Sequence, residues 1–157
     1  MRRTLLLFVL ACLSGLALAQ PYGNEWINYS RPYWKFKITT EGLFRIDSTA
    51  LANAGFPLST VDARTIQVFG REKQVPLYVQ GEDDGVLNAT DFIEFYANKN
   101  DGWKDSLLWD DPVHQNTPYW SLINDTLNYF ITYDAAPQTA RAHPYANSNF
   151  VAYNPRY

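Results

Sequence analysis

Between residues 64 and 98, the pattern of apolar and polar positions predicts three short β-strands. Apolar side chains occupy every second position in three runs, at residues 66–70, 75–79 and 92–97, and each run ends near glycine or asparagine. A period of two between turn-rich breaks is typical of half-buried strands in an antiparallel sheet. Because Pro76 cannot donate a hydrogen bond to a ladder, we expect the second strand to lie at an edge or to carry a bulge.

The same alternation predicts a hairpin nearer the N-terminus. One strand places Trp34, Phe36 and Ile38 on a single face, and the return strand offers Phe44 and Ile46. The connection, residues 39–42, has the length and the terminal glycine of a four-residue hairpin loop. We therefore expect these two strands to pair with each other.

A short helix and a last strand complete the predicted elements. Residues 48–54 favour a helix capped by Asp47 or Ser48 and ended by the following glycine and proline. Residues 127–133 predict a strand with Tyr129 and Ile131 inward or, in the opposite register, Phe130 and Thr132. The fold class expected is mainly β, an antiparallel sheet or sandwich of about six strands with one short helix.

The ends of the chain differ in composition from its middle. Residues 1–19 predict a signal peptide, with Arg2 and Arg3 before an apolar run and Ala17-Leu18-Ala19 as the cleavage site. We expect export to the periplasm, the outer-membrane surface or the medium, because this apolar run is shorter than the about 20 residues that span a membrane. A lipoprotein signal at Cys12 is the alternative, but it would leave an apolar stub on the mature protein.

Residues 20–134 are then the β-rich module, and residues 135–157, which have no periodicity, are a linker or a truncated continuation. If the domain is truncated, we expect the strand at 127–133 to expose an unpaired edge.

Charge and cysteine content exclude several functions. Loss of Arg2 and Arg3 with the leader takes the formal net charge from −3 to −5. A mildly acidic surface argues against nucleic acid and anionic membrane as partners, since both select for basic patches. The one cysteine, Cys12, also leaves with the leader, so the mature chain has no disulfide, thiolate metal site or cysteine nucleophile.

Two segments are candidate binding sites. The long loop at residues 103–126 carries four large aromatic residues, which could stack on sugars, anchor a protein or fold under the loop as a small cluster: Trp103, Trp109, Tyr119 and Trp120. The acidic turn at residues 81–91 offers oxygen ligands that calcium prefers, and the alternative is a solvated turn: Glu82, Asp84, Asn88 and Asp91.

Catalytic groups are few. His114 and His143 are the only histidines, and we interpret both as exposed loop residues. The neighbouring Asp110 and Asp111 could imitate a glycosidase pair, but adjacent residues on one loop rarely hold two carboxyls across a sugar ring.

Several segments in a fixed order resemble a known family. They are YWKFKITTEGLFRID, LANAGF and FG followed by PLYVQGEDDGVLNATDFIEFYANKNDGW. Together, over residues 22–134, they resemble the region ahead of the catalytic domain in gingipain-type cysteine peptidases, most closely the PorU-like sortases of type IX secretion in Gram-negative bacteria. The resemblance implies that the catalytic His and Cys belong to a later caspase-like domain, so no catalytic residue is assigned here.

The function expected from this resemblance is that of a non-catalytic N-terminal module. Its partners would be the peptidase domain of the same protein and components of type IX secretion. Two other functional classes remain open. One is a free-standing carbohydrate- or protein-binding module that uses the aromatic loop, and the other is a small enzyme with a site at His114 or His143.

Overall fold

A computed structural model describes residues 22–115, 117 and 119–143, and in this part of the chain seven β-strands form two antiparallel sheets. The strands are β1 (Trp34–Ile38), β2 (Gly42–Asp47), β3 (Ile66–Gly70), β4 (Lys73–Val75), β5 (Leu77–Val79), β6 (Phe92–Ala97) and β7 (Leu127–Tyr133). Sheet A has the order β1-β7-β3-β4 and sheet B the order β2-β6-β5. The predicted mainly-β class is confirmed, whereas the predicted leader at residues 1–19 lies outside the described residues.

The two sheets pack face to face through the alternating apolar residues of their strands. Ile66 and Val68 of sheet A and Ile93 of sheet B are fully buried. The Phe95 ring of sheet B lies 5.7 Å from that of Phe36 and 6.1 Å from that of Tyr129, both in sheet A. Burial of these apolar faces in one interior is what holds the sandwich together.

The predicted hairpin between β1 and β2 is wrong. β1 pairs with β7, where Phe36 lies opposite Tyr129, and β2 pairs with β6, where Phe44 lies opposite Phe95. The alternation fixed correctly which side chains face the interior, but it does not determine which strand supplies the backbone hydrogen bonds. After Ile38 the chain crosses from one sheet to the other, so the two apolar faces oppose each other across the core.

Pro76 divides the predicted second strand into two. β4 ends at Val75 and lies at an edge of sheet A, and β5 starts at Leu77 and lies at an edge of sheet B. The edge position expected for a proline-containing strand is confirmed. The division explains why seven strands form where about six were expected.

The short helix forms as predicted. α1 (Ser48–Asn53) begins after Asp47, whose Oδ1 accepts a hydrogen bond from the backbone N–H of Ala50 at 2.6 Å. Leu51 is buried against the sheets, and Gly55 ends the helix with φ +75°, which glycine adopts without strain. A helix of this length depends on such packing and capping because its own propensity is insufficient.

β7 adopts the first of the two predicted registers, with Tyr129 and Ile131 inward. The expectation that this strand exposes an unpaired edge is wrong, because β7 lies between β1 and β3 in the middle of sheet A. Its outer face is also covered: the Trp26 ring lies 5.3 Å from Phe130 and 5.2 Å from Phe69 of β3.

Beyond β7 the chain returns to sheet B. Ala140 accepts a hydrogen bond from the Leu77 N–H at 3.3 Å, and Ala142 donates one to the Leu77 carbonyl at 2.9 Å. The intervening Arg141 forms an isolated parallel bridge with Leu77. The described part of the predicted linker, residues 135–143, is therefore attached to the free edge of β5.

The Arg141 side chain fixes this attachment. It is only 6% exposed, and its Nε lies 2.7 Å from the Glu82 carboxylate. Its other nitrogens donate to three backbone carbonyls, those of Ile66 at 3.0 Å, Ala63 at 3.2 Å and Arg64 at 2.7 Å. One guanidinium thus joins the start of β3 to the acidic turn.

We expect Arg141→Met to destabilise the protein by about 3 kcal/mol, because it leaves a carboxylate and several carbonyls without their donor. Urea unfolding measures the change. The matched control is Arg45→Met, which removes an ion pair to Glu94 from a side chain that is 57% exposed and should cost at most about 1 kcal/mol. Equal losses for the two variants would contradict the anchoring role.

We expect Gly70→Ala to destabilise the protein by about 1–3 kcal/mol through overpacking. A Cβ atom at this position would lie 2.1 Å from Cε1 of the buried Tyr129 ring. Thermal unfolding of the single variant, of Tyr129→Leu and of the double variant checks the cause. The cost of Gly70→Ala should largely disappear once the ring is gone, and an unchanged cost would show that the ring is not responsible.

Candidate functional site

The candidate site is the aromatic loop, residues 103–126, which connects β6 to β7. It contains two short 3₁₀ turns, Asp105–Leu108 and Pro112–His114. Asn100 closes its base by donating from the side chain to the Asn124 carbonyl at 2.9 Å and from the backbone to the Asp125 carbonyl at 3.2 Å. The two ends of the loop are thereby held together.

Asp105 is the internal anchor of the loop. This carboxylate is buried, and its Oδ2 accepts hydrogen bonds from the Ser121 hydroxyl at 2.9 Å and the Leu122 N–H at 3.0 Å. Gln115 adds a second tie by donating to the carbonyls of Gly102 at 3.1 Å and Thr117 at 3.0 Å. These bonds satisfy buried polar groups and give the loop a defined shape.

Gly102 is required where the two sides of the loop approach. Its φ is +80°, and a Cβ atom there would lie 3.0 Å from the Trp120 carbonyl oxygen and 3.1 Å from Oδ2 of Asp105. A larger residue would push Trp120 away from the base of the loop.

The loop directs large apolar side chains into solvent. Each of the following is exposed over more than half of its surface: Leu107, Leu108, Val113, Tyr119, Trp120, Leu122 and Ile123. The hydrogen bonds of Asp105 and Gln115 hold the loop in a shape that leaves these side chains in solvent. A concentration of exposed apolar residues of this kind marks interaction sites on proteins.

The four predicted aromatic residues have different environments. Tyr119 and Trp120 are exposed, so these two rings do not fold under the loop, as one interpretation of the sequence had them. Trp109 is half-buried. Trp103 is 37% exposed, and its ring lies 4.9 Å from the Lys104 ammonium and 5.9 Å from the Arg71 guanidinium.

The turn between β3 and β4 contacts the start of the aromatic loop. Arg71 and Glu72 have φ values of +52° and +63°, a conformation that hairpin turns usually fill with asparagine and glycine. Arg71 donates to the Lys99 carbonyl at 3.2 Å and lies 2.6 Å from the Asp101 carboxylate, while Glu72 pairs with Lys104. Strain in this turn is thus compensated by contacts to the start of the aromatic loop.

The contact with Arg71 lowers the pKa of the Asp101 carboxyl group. Burial, the largest effect, acts to raise the pKa of Asp101, but the hydrogen bond and charge of Arg71 and the Trp103 N–H together lower it below its ordinary value. The ionised form is therefore favoured in the folded protein, where it holds Arg71 beneath Trp103. Sequence reasoning missed Arg71, Glu72 and Asp105, since none stands in a motif that signals its role.

The predicted calcium ligands are engaged with protein groups. Glu82 pairs with Arg141, Asp84 Oδ1 accepts from the Val86 N–H at 2.9 Å, and Asp91 Oδ2 accepts from the Asn88 N–H at 2.7 Å. Among residues 22–115, 117 and 119–143, no group of three or more His, Cys, Asp or Glu side chains could hold a metal ion. The geometry adds no support to the calcium prediction.

The histidines and the paired aspartates lie in solvent. His114 ends a 3₁₀ turn of the aromatic loop and His143 follows the segment on β5, and both side chains are exposed. Asp111 caps the turn by accepting from the Val113 N–H at 3.0 Å. The exposure of both histidines agrees with their interpretation as loop residues. His143 borders an open cavity of about 510 Å³ with Glu82 and Arg141, and that carboxylate is paired with the arginine.

Comparison of the chain with protein-family models, curated proteins and solved structures found no match. In the part of the chain that the structure describes, no helix has the length and apolar character needed to cross a membrane.

We expect Asp105→Asn to loosen the aromatic loop and to cost about 1–3 kcal/mol, because the buried amide cannot accept as well from both Ser121 and Leu122. Thermal unfolding gives the stability change, and hydrogen exchange at the Leu122 amide gives the local effect. Asp110→Asn, at an exposed position on the same loop, is the control and should change neither. Unaltered exchange at Leu122 in the Asp105 variant would contradict the anchoring role.

Proposed function

We propose that this chain is a non-catalytic N-terminal module of an exported, gingipain-like cysteine peptidase of the type IX sortase kind. In this proposal the aromatic loop packs against the peptidase domain of the same protein and positions it. The order of the segments within residues 22–134 supports the family, and the exposed apolar side chains of the loop support the docking role.

The observation that carries the docking role is the combination of apolar exposure and internal order in the loop. Leu107, Leu108, Leu122 and Ile123 are each more than 60% exposed, and a group of exposed apolar side chains is typical of an interaction site. The Asp105 and Gln115 hydrogen bonds hold their backbone in place, so little ordering entropy is lost when a partner covers them.

The composition of this surface favours a protein partner over a carbohydrate. Sugars are bound by flat aromatic faces, whereas the exposed side chains here are mostly aliphatic, with Tyr119 and Trp120 among them. Tyrosine and tryptophan are enriched at the centre of protein interfaces, and the aliphatic side chains beside them here add apolar surface that a protein partner can bury.

In this proposal the module itself has no catalytic activity. A cysteine peptidase needs a thiolate activated by a nearby base, and the one cysteine of the chain lies within the predicted leader. The catalytic pair would belong to the later domain that the resemblance implies.

The gene itself tests the family. We expect the reading frame to continue past Tyr157 into a region that carries a Gly-His-Gly motif and a later Ser-Cys motif. DNA sequencing downstream of this codon is the measurement. A stop codon, or a continuation without these motifs, would contradict the proposal.

Binding in trans tests the docking surface. The peptidase region, produced separately, should bind the mature chain, and the double variant Leu108→Asp/Ile123→Asp should weaken binding by at least about tenfold, since two apolar contacts become buried charges. Leu43→Asp, at an equally exposed leucine on β2, is the matched control and should bind as wild type does. Calorimetry that gives equal affinity for all three proteins would place the interface elsewhere.

The second candidate is a free-standing protein-binding module that uses the same loop. The exposed Tyr119 and Trp120 favour it, because these residues are common interface anchors. The two functions differ in their partner: the first requires the downstream peptidase region, and the second requires binding to a separate protein in its absence.

A further inference from the structure

An apolar groove opens between β1 and β2, along one side of the sandwich. Its volume is about 330 Å³, and α1 closes one end of it. The main apolar side chains that line it are Trp34, Phe36, Ile38, Phe44, Ile46 and Leu51. Four of these inward-facing residues are only partly buried although they contact the core: Trp34, Phe36, Phe44 and Ile46.

On the opposite side of the sandwich the two sheets are joined by the chain itself, although a cavity of about 440 Å³ opens there beside Gln74, Pro76 and Tyr129. There the chain passes directly from β4 to β5 through Pro76, and the segment around Arg141 adds to the outer edge of β5. On the groove side, β1 is the outer strand of sheet A and β2 is the outer strand of sheet B, and within the described residues no strand pairs with either outer edge. The backbone groups on these two edges are therefore open to an added strand.

The charged side chains beside the groove indicate what kind of peptide strand could bind there. Lys35 and Lys37 border the groove along β1, where they alternate with its apolar residues, and both are exposed. A strand added beside β1 would place every second side chain in the groove and the others next to these two lysines.

We infer that the groove binds an extended segment of a partner polypeptide in which apolar residues alternate with acidic ones. The backbone of the segment pairs with the free edge of β1, its apolar side chains cover the partly buried aromatic residues, and its carboxylates face Lys35 and Lys37. Addition of a strand to an exposed edge is a common mode of peptide recognition. The segment around Arg141 already binds β5 by backbone hydrogen bonds, so the fold itself uses this mode at its other edge.

A second copy of the chain is a poorer occupant. Pairing of β1 with another β1 would set Lys35 and Lys37 of one molecule beside the same lysines of the other, and like charges on neighbouring strands destabilise a sheet. Lysine on an edge strand is a known means of preventing self-association.

Titration with synthetic peptides tests the inference. The probes are an acetylated peptide of four Val-Glu repeats, the corresponding Val-Lys peptide, and a Val-Glu peptide N-methylated at every residue. We expect the Val-Glu peptide to bind about tenfold more tightly than either of the others, because only it offers both carboxylates and backbone donors. The measurement is NMR titration of the full mature chain, with shifts followed at the amides of β1 and β2.

A charge exchange supplies the specific control. The variant Lys35→Glu/Lys37→Glu changes only exposed side chains, so it should fold as wild type does and prefer the Val-Lys peptide. The loop variant Leu108→Asp/Ile123→Asp should retain the preference for Val-Glu, which separates this site from the aromatic loop.

Four results would overturn the inference. The first is equal binding of the Val-Glu and Val-Lys peptides, and the second is unchanged binding after N-methylation. The third is binding of dodecanoate at the groove while no peptide binds, since the groove would then be a small-ligand pocket. The fourth is concentration-dependent dimerisation with shifts at β1, which would assign the edge to a second copy.

Discussion

The structure depends on the contact between the two sheets at Phe95. This ring lies between Phe36 and Tyr129 of sheet A and stacks on Phe44 of its own sheet at 6.3 Å. Tyr129 completes the contact, because its hydroxyl accepts from the Asn98 N–H at 2.9 Å and so fixes the end of β6. The connection that leads into the aromatic loop starts at this point, so packing in the core sets the position of the candidate site.

The loop is rigid at its base and apolar at its tip. Its base is held by Asn100, by the buried carboxylate of Asp105 and by the Arg71–Asp101 pair below it, whereas its tip presents leucine, isoleucine and valine to solvent. The buried polar side chain of Asp105 is hydrogen-bonded within the loop, whereas the large apolar side chains are left in solvent. A partner that covers the tip gains from burial of apolar surface without breaking any of these hydrogen bonds.

Period-two alternation predicted the strands and their inward residues, because side-chain direction in a strand depends only on local geometry. The helix was predicted separately, from its capping residue and from the glycine and proline that follow it. The alternation could not predict that β1 and β2 belong to different sheets, because the apolar face of a strand is buried equally well whichever of the two sheets the strand joins. Pro76 indicated an edge correctly because the missing N–H is a property of the residue itself. Arg71, Asp105 and Arg141 were beyond prediction, since their partners are distant in sequence and their roles arise only when the sheets have assembled.

The two sides of the sandwich protect their strand edges in different ways. On the β5 side, backbone pairing and the buried Arg141 occupy the edge, and one guanidinium satisfies Glu82 and three carbonyls at once. On the β1 side, Lys35 and Lys37 would face the same lysines of another copy, and Trp34 and Phe36 on the inner face of the strand are only partly buried. Charge alone cannot cover apolar surface, so an edge protected in this manner remains available to a strand of opposite charge.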